Sequence, residues 1–278
     1  RSTLFPYTTL FRSRDGYHVA FYSNQFVKES EKDRENATGA GFFYHPGIEP
    51  YIFDERNHSL NQFDEEMVQE YFEKHKREGF KPYNLTIFHL LGQHVSYKDR
   101  YTQEFARFSE KDYDDRKDLT NNQKREVSEY DNATLYNDYV VSTIISHYQN
   151  QDAIVIYFSD HGEECNDFRP HIGRSGDWDM IERKAGIECL RCQFDIPFII
   201  YTSPLYQQNH PEIVKEINTA LDRPFMTDDL PHLLLYLAGI HTSWYDSRHN
   251  LISPNFNTKR RRLVSRVFTD YDEFCSGK

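Results

Sequence analysis

The stretch Ala153–Glu164, AIVIYFSDHGEE, runs six apolar residues and then breaks into a serine, an aspartate, a histidine, a glycine and two glutamates. A solid apolar run of that length reads as a strand buried on both faces, the pattern of a parallel sheet covered by helices. Ligands of such sheets bind beyond the carboxyl ends of the strands. Asp160 and His161 therefore stand at a strand-to-loop turn, with Gly162 expected to let the backbone change direction. A carboxylate beside an imidazole suits a zinc-type ion, which takes oxygen and nitrogen ligands and can keep one position open for chemistry. The competing reading of a bare Asp-His pair is an aspartate helix cap followed by a turn histidine.

A second apolar strand, Leu85–Leu91, LTIFHLL, carries His89 within it and is followed by His94 beyond Gly92. One histidine in an apolar strand is commonly a satisfied core residue. Two at one strand end, with Asp-His at another, match the ligand pattern of a metal site better. A third contribution comes from RPHIGRSG, where His171 lies in a loop between Arg169 and Arg174. Their forked guanidinium groups suit an anionic oxygen, although loop arginines are often only solvated.

The rest of the chain supplies matching elements. Tyr17–Tyr22 reads as a short strand, and Asp64 can cap a helix that carries Met67, Val68, Tyr71 and Phe72 on one face and stops at Gly79. A long helix is expected from about Arg125 to Gln149, a strand over Ile196–Tyr201, and helices over Glu212–Leu221 and Asp228–Ala238, the last closed by Gly239. Strands and amphipathic helices in this order predict an α/β fold, a three-layer sandwich with a largely parallel sheet flanked by helices.

Composition bounds the function. With 278 residues, 38% hydrophobic and 15% aromatic, the chain can form a proper core. Thirty-three basic against 44 acidic residues give a net charge of −11, and the basic cluster is Lys259–Arg262. Nucleic acid is excluded as the main partner, because phosphate neutralisation needs a cationic surface. No apolar run reaches the ~18 residues a spanning helix requires, so the chain reads as soluble. Cys189 and Cys192 form a CxxC pair in a polar stretch before a strand, open to a disulfide, a reduced thiol pair or half of a metal knuckle. The opening RSTLFPYTTLFRS, residues 1–13, has neither strand nor helix period and reads as a translated sequencing-adapter stretch.

SDHGEE, HLLGQH with the following YKDRY, DIPFIIYTS and MTDDLPHLLLYLAGI together resemble, in the same order, the phosphoethanolamine transferases of the alkaline phosphatase and sulfatase superfamily. The likeness runs from about Gly16 to Val264 and is nearest to the branch that modifies the lipopolysaccharide core. It implies that residues 14–278 are the C-terminal portion of a sulfatase-like catalytic domain. It implies that Asp160 and His161 bind catalytic zinc, one ion or two. By the same resemblance His94 and His171 take catalytic roles and, with His89, hold the substrate phosphate or a second zinc; Arg174 joins them as a phosphate-binding candidate from its place in the loop. Gln93 and Thr102 depart from the residues usual in the family, which bears on the substrate more than on the metal.

The resemblance further implies a phosphatidylethanolamine donor and a lipopolysaccharide acceptor, core sugar or lipid A. It implies a bacterial inner-membrane location, with the catalytic domain periplasmic and attached through upstream helices missing here. A periplasmic location agrees with a Cys189–Cys192 disulfide. The family's nucleophilic threonine precedes the strand matching GYHVAFYSN; Thr8 and Thr9 fall in the adapter-like start and Thr38 follows that strand, so the nucleophile is absent and the fragment is expected to be inactive. Alternatives are a sulfatase or phosphoglycerol transferase of the same superfamily, or a noncatalytic surface-binding domain. No cysteine here has the C-x-P-x-R setting of a sulfatase nucleophile.

Overall fold

The computed structural model describes residues 16–25, 52–57, 59–175, 183–264 and 268–276. The adapter-like start and Thr8, Thr9 and Thr38 lie outside these residues. The chain forms two compact units: Arg1–Leu91 with Glu212–Thr258, and Gly92–Pro211 with Lys259–Lys278.

In the first unit β1 (His18–Ser23) is central, paired in parallel with β2 (Glu55–Arg56) and with β3 (Asn84–His89). Alternation along β1 sends Val19 and Phe21 to one face and His18, Ala20 and Tyr22 to the other. The first set joins Ile52, Phe53, Leu235 and Ile240 in a core that includes helix α6 (Leu230–Leu237), with Leu85 and Ile87 of β3 packed against it. The opposite face meets α1 (Asp64–Glu78), where Tyr71 stands edge-on to Tyr22 and Phe88 and shares a 2.6 Å hydrogen bond with Thr86. Helix, parallel sheet and helix form the expected three layers, each buried aliphatic side chain contributing about 1.5–3 kcal/mol.

α1 buries Met67, Val68, Tyr71 and Phe72 as its spacing predicts, and stops at Gly79 with φ 78°. Its cap differs from expectation. Phe63 occupies the N-cap position, and the Glu66 carboxylate accepts from the Phe63 N–H. Asp64 instead accepts from the Asn24 side chain and from the Leu91 N–H, joining the segments that follow β1 and β3. A buried carboxylate between two chain segments satisfies two donors, whereas a cap would satisfy one.

In the second unit α2 (Asn121–Tyr148) begins four residues earlier than its apolar period predicts, because Thr120 and Gln123 form a reciprocal capping pair. Asn132 on α2 accepts from the N–H groups of Arg107 and Phe108 at 2.8 Å and holds the preceding loop. β4 (Ile154–Phe158) pairs with β7 (Phe198–Thr202), and this pair is antiparallel. Solid apolar runs report burial and carry no strand direction, so the two runs could not disclose it. β5 (Glu164–Cys165) and β6 (Ile172–Gly173) make a short antiparallel ribbon.

Helix α3 (Arg183–Phe194) occupies what reads in the sequence as a polar stretch. Both CxxC sulfurs lie on α3 as free thiols, Cys189 buried and Cys192 half-buried, which corrects the disulfide reading. α4 (Pro204–Asn209) is capped by Ser203 and followed by α5 (Pro211–Thr219), which belongs to the first unit, and the second unit ends with β8 (Leu263–Val264), β9 (Thr269–Asp270) and α7 (Tyr271–Ser276). None of the described helices is long and apolar enough to cross a membrane.

Candidate metal centre

β4 delivers Asp160 and His161 two and three residues past its last member. The strand is tied to α2 by the Asn137 amide donating to the Tyr157 hydroxyl at 2.7 Å. At its end the Ser159 hydroxyl donates to the His161 carbonyl at 2.5 Å, closing a tight local turn. His161 Nδ1 lies 2.8 Å from the Gly162 carbonyl. A carbonyl can only accept, so Nδ1 carries a proton and Nε2 is the atom left facing Asp160. Nε2 stands 3.5 Å from Asp160 Oδ2, with the Asp160 side chain 84% exposed and His161 26% exposed.

A lone pair and a carboxylate oxygen at that separation repel unless a cation joins them. An imidazole whose other nitrogen donates to a carbonyl is the usual form of a metal-ligating histidine. The Asp160–His161 donor set therefore fits zinc, and the helix-cap alternative fails because neither residue begins a helix.

Gly162 is needed for a reason other than turning. It is not among the glycines with positive φ. A Cβ at this position would lie 2.1 Å from the Cys192 carbonyl oxygen and 3.2 Å from that of Asp195. The Gly162 N–H donates to the Gln193 carbonyl at 3.0 Å. Bare backbone thus lets the loop lie directly on the end of α3.

Behind the loop Glu164 is fully buried. The Arg169 guanidinium forks onto it at 3.0 and 3.2 Å, and the Cys189 thiol donates to it at 3.3 Å. Arg169 therefore clamps the ribbon rather than standing open to an anion. Burial, and then the Glu164 hydrogen bond, push the Cys189 thiol up to about 12; burial pushes Cys165 up to about 12 and Cys192 up to about 11. These are protonated thiols at neutral pH and poor metal ligands or nucleophiles.

The other candidates are distributed as follows. His171 lies at the closed end of the β5–β6 ribbon, its carbonyl accepting from the Asn166 N–H at 2.8 Å; its buried Nε2 has no hydrogen-bond partner among the described residues. Arg174 is exposed just after β6. His94 is exposed, and its Nδ1–H donates to the Val95 carbonyl at 2.8 Å, which leaves Nε2 as the ligand-facing atom. His89 ends β3 in the first unit, its Nδ1 3.0 Å from the Ser23 hydroxyl. Among these candidates the described residues bring Asp160 and His161 into direct contact. The supporting Glu164 and Cys189 carry no sequence signal, since both residues of β5 are buried and neither is marked by a period.

Comparison with known proteins identifies the family of the chain. The sulfatase family pattern matches residues 8–240. Phosphoethanolamine transferase EptC of Escherichia coli K12 is 30% identical over 233 residues, covering 82% of this chain and 38% of that protein. Phosphoethanolamine transferase CptA of Salmonella typhimurium gives the same identity and coverage. The chain thus spans well under half the length of these curated relatives. The crystal structure of the C-terminal periplasmic domain of EptC from Escherichia coli, in complex with zinc, superimposes with a TM-score of 0.72 at 26% identity, covering 95% of this chain and 71% of that one. The chain belongs to the sulfatase family, has the alkaline phosphatase and sulfatase-like α/β fold, and is a relative of the phosphoethanolamine transferases.

Proposed function

We propose that the protein to which this chain belongs is a zinc-dependent phosphoethanolamine transferase acting on lipopolysaccharide, with residues 14–278 forming the C-terminal portion of its catalytic domain. The observation that carries this reading is the Asp160–His161 pair at the end of β4, with Nδ1 bonded to the Gly162 carbonyl and Nε2 3.5 Å from a carboxylate oxygen. When bound, zinc supplies a Lewis acid that lowers the pKa of an attacking hydroxyl. Asp160 and His161 hold it at the end of β4, and the Gly162 carbonyl keeps the His161 ring in the ligating tautomer.

The donor on this reading is phosphatidylethanolamine and the acceptor a core sugar or lipid A. A threonine oxygen from outside this chain's assigned residues displaces the diacylglycerol oxygen from phosphorus. An acceptor oxygen then displaces the threonine oxygen. His94, when Nε2 also carries a proton, passes that proton to the leaving diacylglycerol oxygen, and His171 with Arg174 neutralises the phosphate, each step worth about 10²-fold. The relatives' periplasmic domains and the integral-membrane EptA of Neisseria meningitidis support a periplasmic catalytic domain anchored in the inner membrane. The likeness to phosphoethanolamine transferases favours this reading over a sulfatase, whose nucleophile would also lie upstream of the described residues.

The test is His161→Ala in the full-length protein. Transfer from labelled phosphatidylethanolamine is expected to vanish and bound zinc, measured by mass spectrometry, to fall. Zinc content equal to that of the parent refutes the assignment.

A further inference from the structure

A second cluster of metal-type ligands lies in the first unit and shares no residue with the Asp160–His161 pair. His18 opens β1, Glu55 sits on β2 beside Ala20, and His75 lies in the last turn of α1. One nitrogen from each histidine and one carboxylate oxygen all lie within 4.8 Å of one another. His18 Nε2 is 3.0 Å and His75 Nε2 3.4 Å from the same atom, Glu55 Oε2.

Three features distinguish this arrangement from an ordinary charged patch. First, it is enclosed: the His75 side chain is 5% and the Glu55 side chain 8% exposed. Second, His75 Nδ1 is 3.0 Å from the Tyr71 carbonyl, so Nδ1 carries the proton and the Nε2 lone pair faces a carboxylate oxygen. That contact requires a cation, either a proton on Nε2 or a metal. Third, the other carboxylate oxygen is already held. Oε1 accepts from the Tyr22 hydroxyl at 2.6 Å and from the Lys74 ammonium at 3.0 Å, which fixes the carboxylate and leaves Oε2 for the imidazoles.

Zinc bonds of about 2.0–2.2 Å in a tetrahedron place neighbouring ligand atoms about 3.3 Å apart. The two nitrogen-to-oxygen distances here, 3.0 and 3.4 Å, bracket that value. Asp54 Oδ2, which accepts from the Val19 N–H at 2.9 Å, lies 4.0 Å from His18 Nδ1 and adds negative charge beside the cluster without bonding the ring. His18 pairs with Asn84 at the amino end of the parallel strands, whereas Ser23 and His89 form the carboxyl end. Five strand steps of about 3.3 Å, roughly 17 Å, separate the two ends.

We propose that His18, Glu55 and His75 form a second site for a zinc-class divalent cation, completed by water, that staples β1, β2 and α1 together. The competing occupant is a proton, which would make His75 an imidazolium paired with Glu55. The two are separated by zinc titration of this chain carrying Asp160→Ala and His161→Ala, using zinc alone against a chromophoric chelator near neutral pH.

The expected result is one retained zinc equivalent whose absorption-edge spectrum shows two imidazole ligands. Adding His18→Ala or His18→Gln is expected to weaken it by more than the roughly 10–100-fold that loss of an outer partner costs. His18 opens its strand, so these variants should keep the parent circular dichroism spectrum; His75→Ala serves as a second check, with folding verified in the same way. The proposal is overturned if the double variant retains no zinc, or if its zinc affinity is indifferent to His18 and His75.

Discussion

Gly162→Ala tests whether the metal-bearing loop rests on backbone. The new Cβ would stand 2.1 Å from the Cys192 carbonyl oxygen, where a carbon-to-oxygen contact settles at about 3.3 Å, so loop and helix must separate by roughly 1.2 Å. The opposing atoms cannot rotate aside. The end of α3 is held by Cys189 and Leu190 packing on Val264 and Tyr271, and by the Tyr271 hydroxyl donating to Asp195 at 2.5 Å. Overpacking costs about 1–3 kcal/mol, and losing the Gly162 to Gln193 hydrogen bond adds about 1 kcal/mol. The expected total of about 3 kcal/mol lowers Tm by roughly 10 °C. Displacing His161 should also weaken zinc binding about 10–100-fold, as loss of ligand positioning does. Gly239→Ala is the control: at φ 69° with nothing within 4 Å, it should cost about 1–2 kcal/mol of left-handed strain and leave zinc affinity unchanged. Thermal melts and chelator competition on both variants decide the matter. A Gly162→Ala protein with parental Tm and zinc affinity would refute the close approach.

Glu164→Gln should destabilise by about 3 kcal/mol in denaturant titration, because it leaves the largely buried Arg169 without its carboxylate. Cys165 and Cys189, both pushed up to about 12 from about 9, should resist iodoacetamide at mildly alkaline pH in the folded protein. Their folded values lie above their unfolded ones, so their contribution to stability is whole below about 9 and is lost as pH rises toward about 12. Melts across that window should show Tm falling with pH, and labelling of either thiol in the native state would count against their burial. Asn57→Ala should cost about 2 kcal/mol by removing the acceptor of the buried Ser23 N–H at 2.9 Å, measured by chemical denaturation.

Regular features of the fold were legible where one period dominates. The apolar face of α1, the β3 and β4 runs and the glycine stops at Gly79 and Gly239 all fall within a few residues of their expected places. Direction was not legible, since an apolar run such as Ile154–Phe158 reads the same in a parallel or an antiparallel pair. Helix α3 was missed because its burial is concentrated in Cys189 and Leu190 amid polar neighbours. At the site, Asp160 and His161 announced themselves by interrupting an apolar strand. The Glu164 clamp did not, because a buried glutamate and a solvated one are written with the same letter. His18, Glu55 and His75 are far apart in the chain, and only the pairing of β1 with β2 and the packing of α1 bring them together.

The interleaving of the two units has a consequence for how the chain is made. Val19 and Phe21 of β1 complete their packing only against Leu235 and Ile240, and the Tyr17 hydroxyl donates to the Ala238 carbonyl at 3.1 Å. At a synthesis rate of about 5–20 residues per second, a nascent β1 waits roughly ten to forty seconds for its partner helix. The second unit waits too, since Val264 and Tyr271 close the core around Cys189 and Leu190. The first unit cannot finish before Leu235 and Ile240 emerge, so the apolar face of β1 stays incompletely covered over that interval. Slow codons before Leu230 would prolong that exposure, and a holding chaperone would find its substrate at β1.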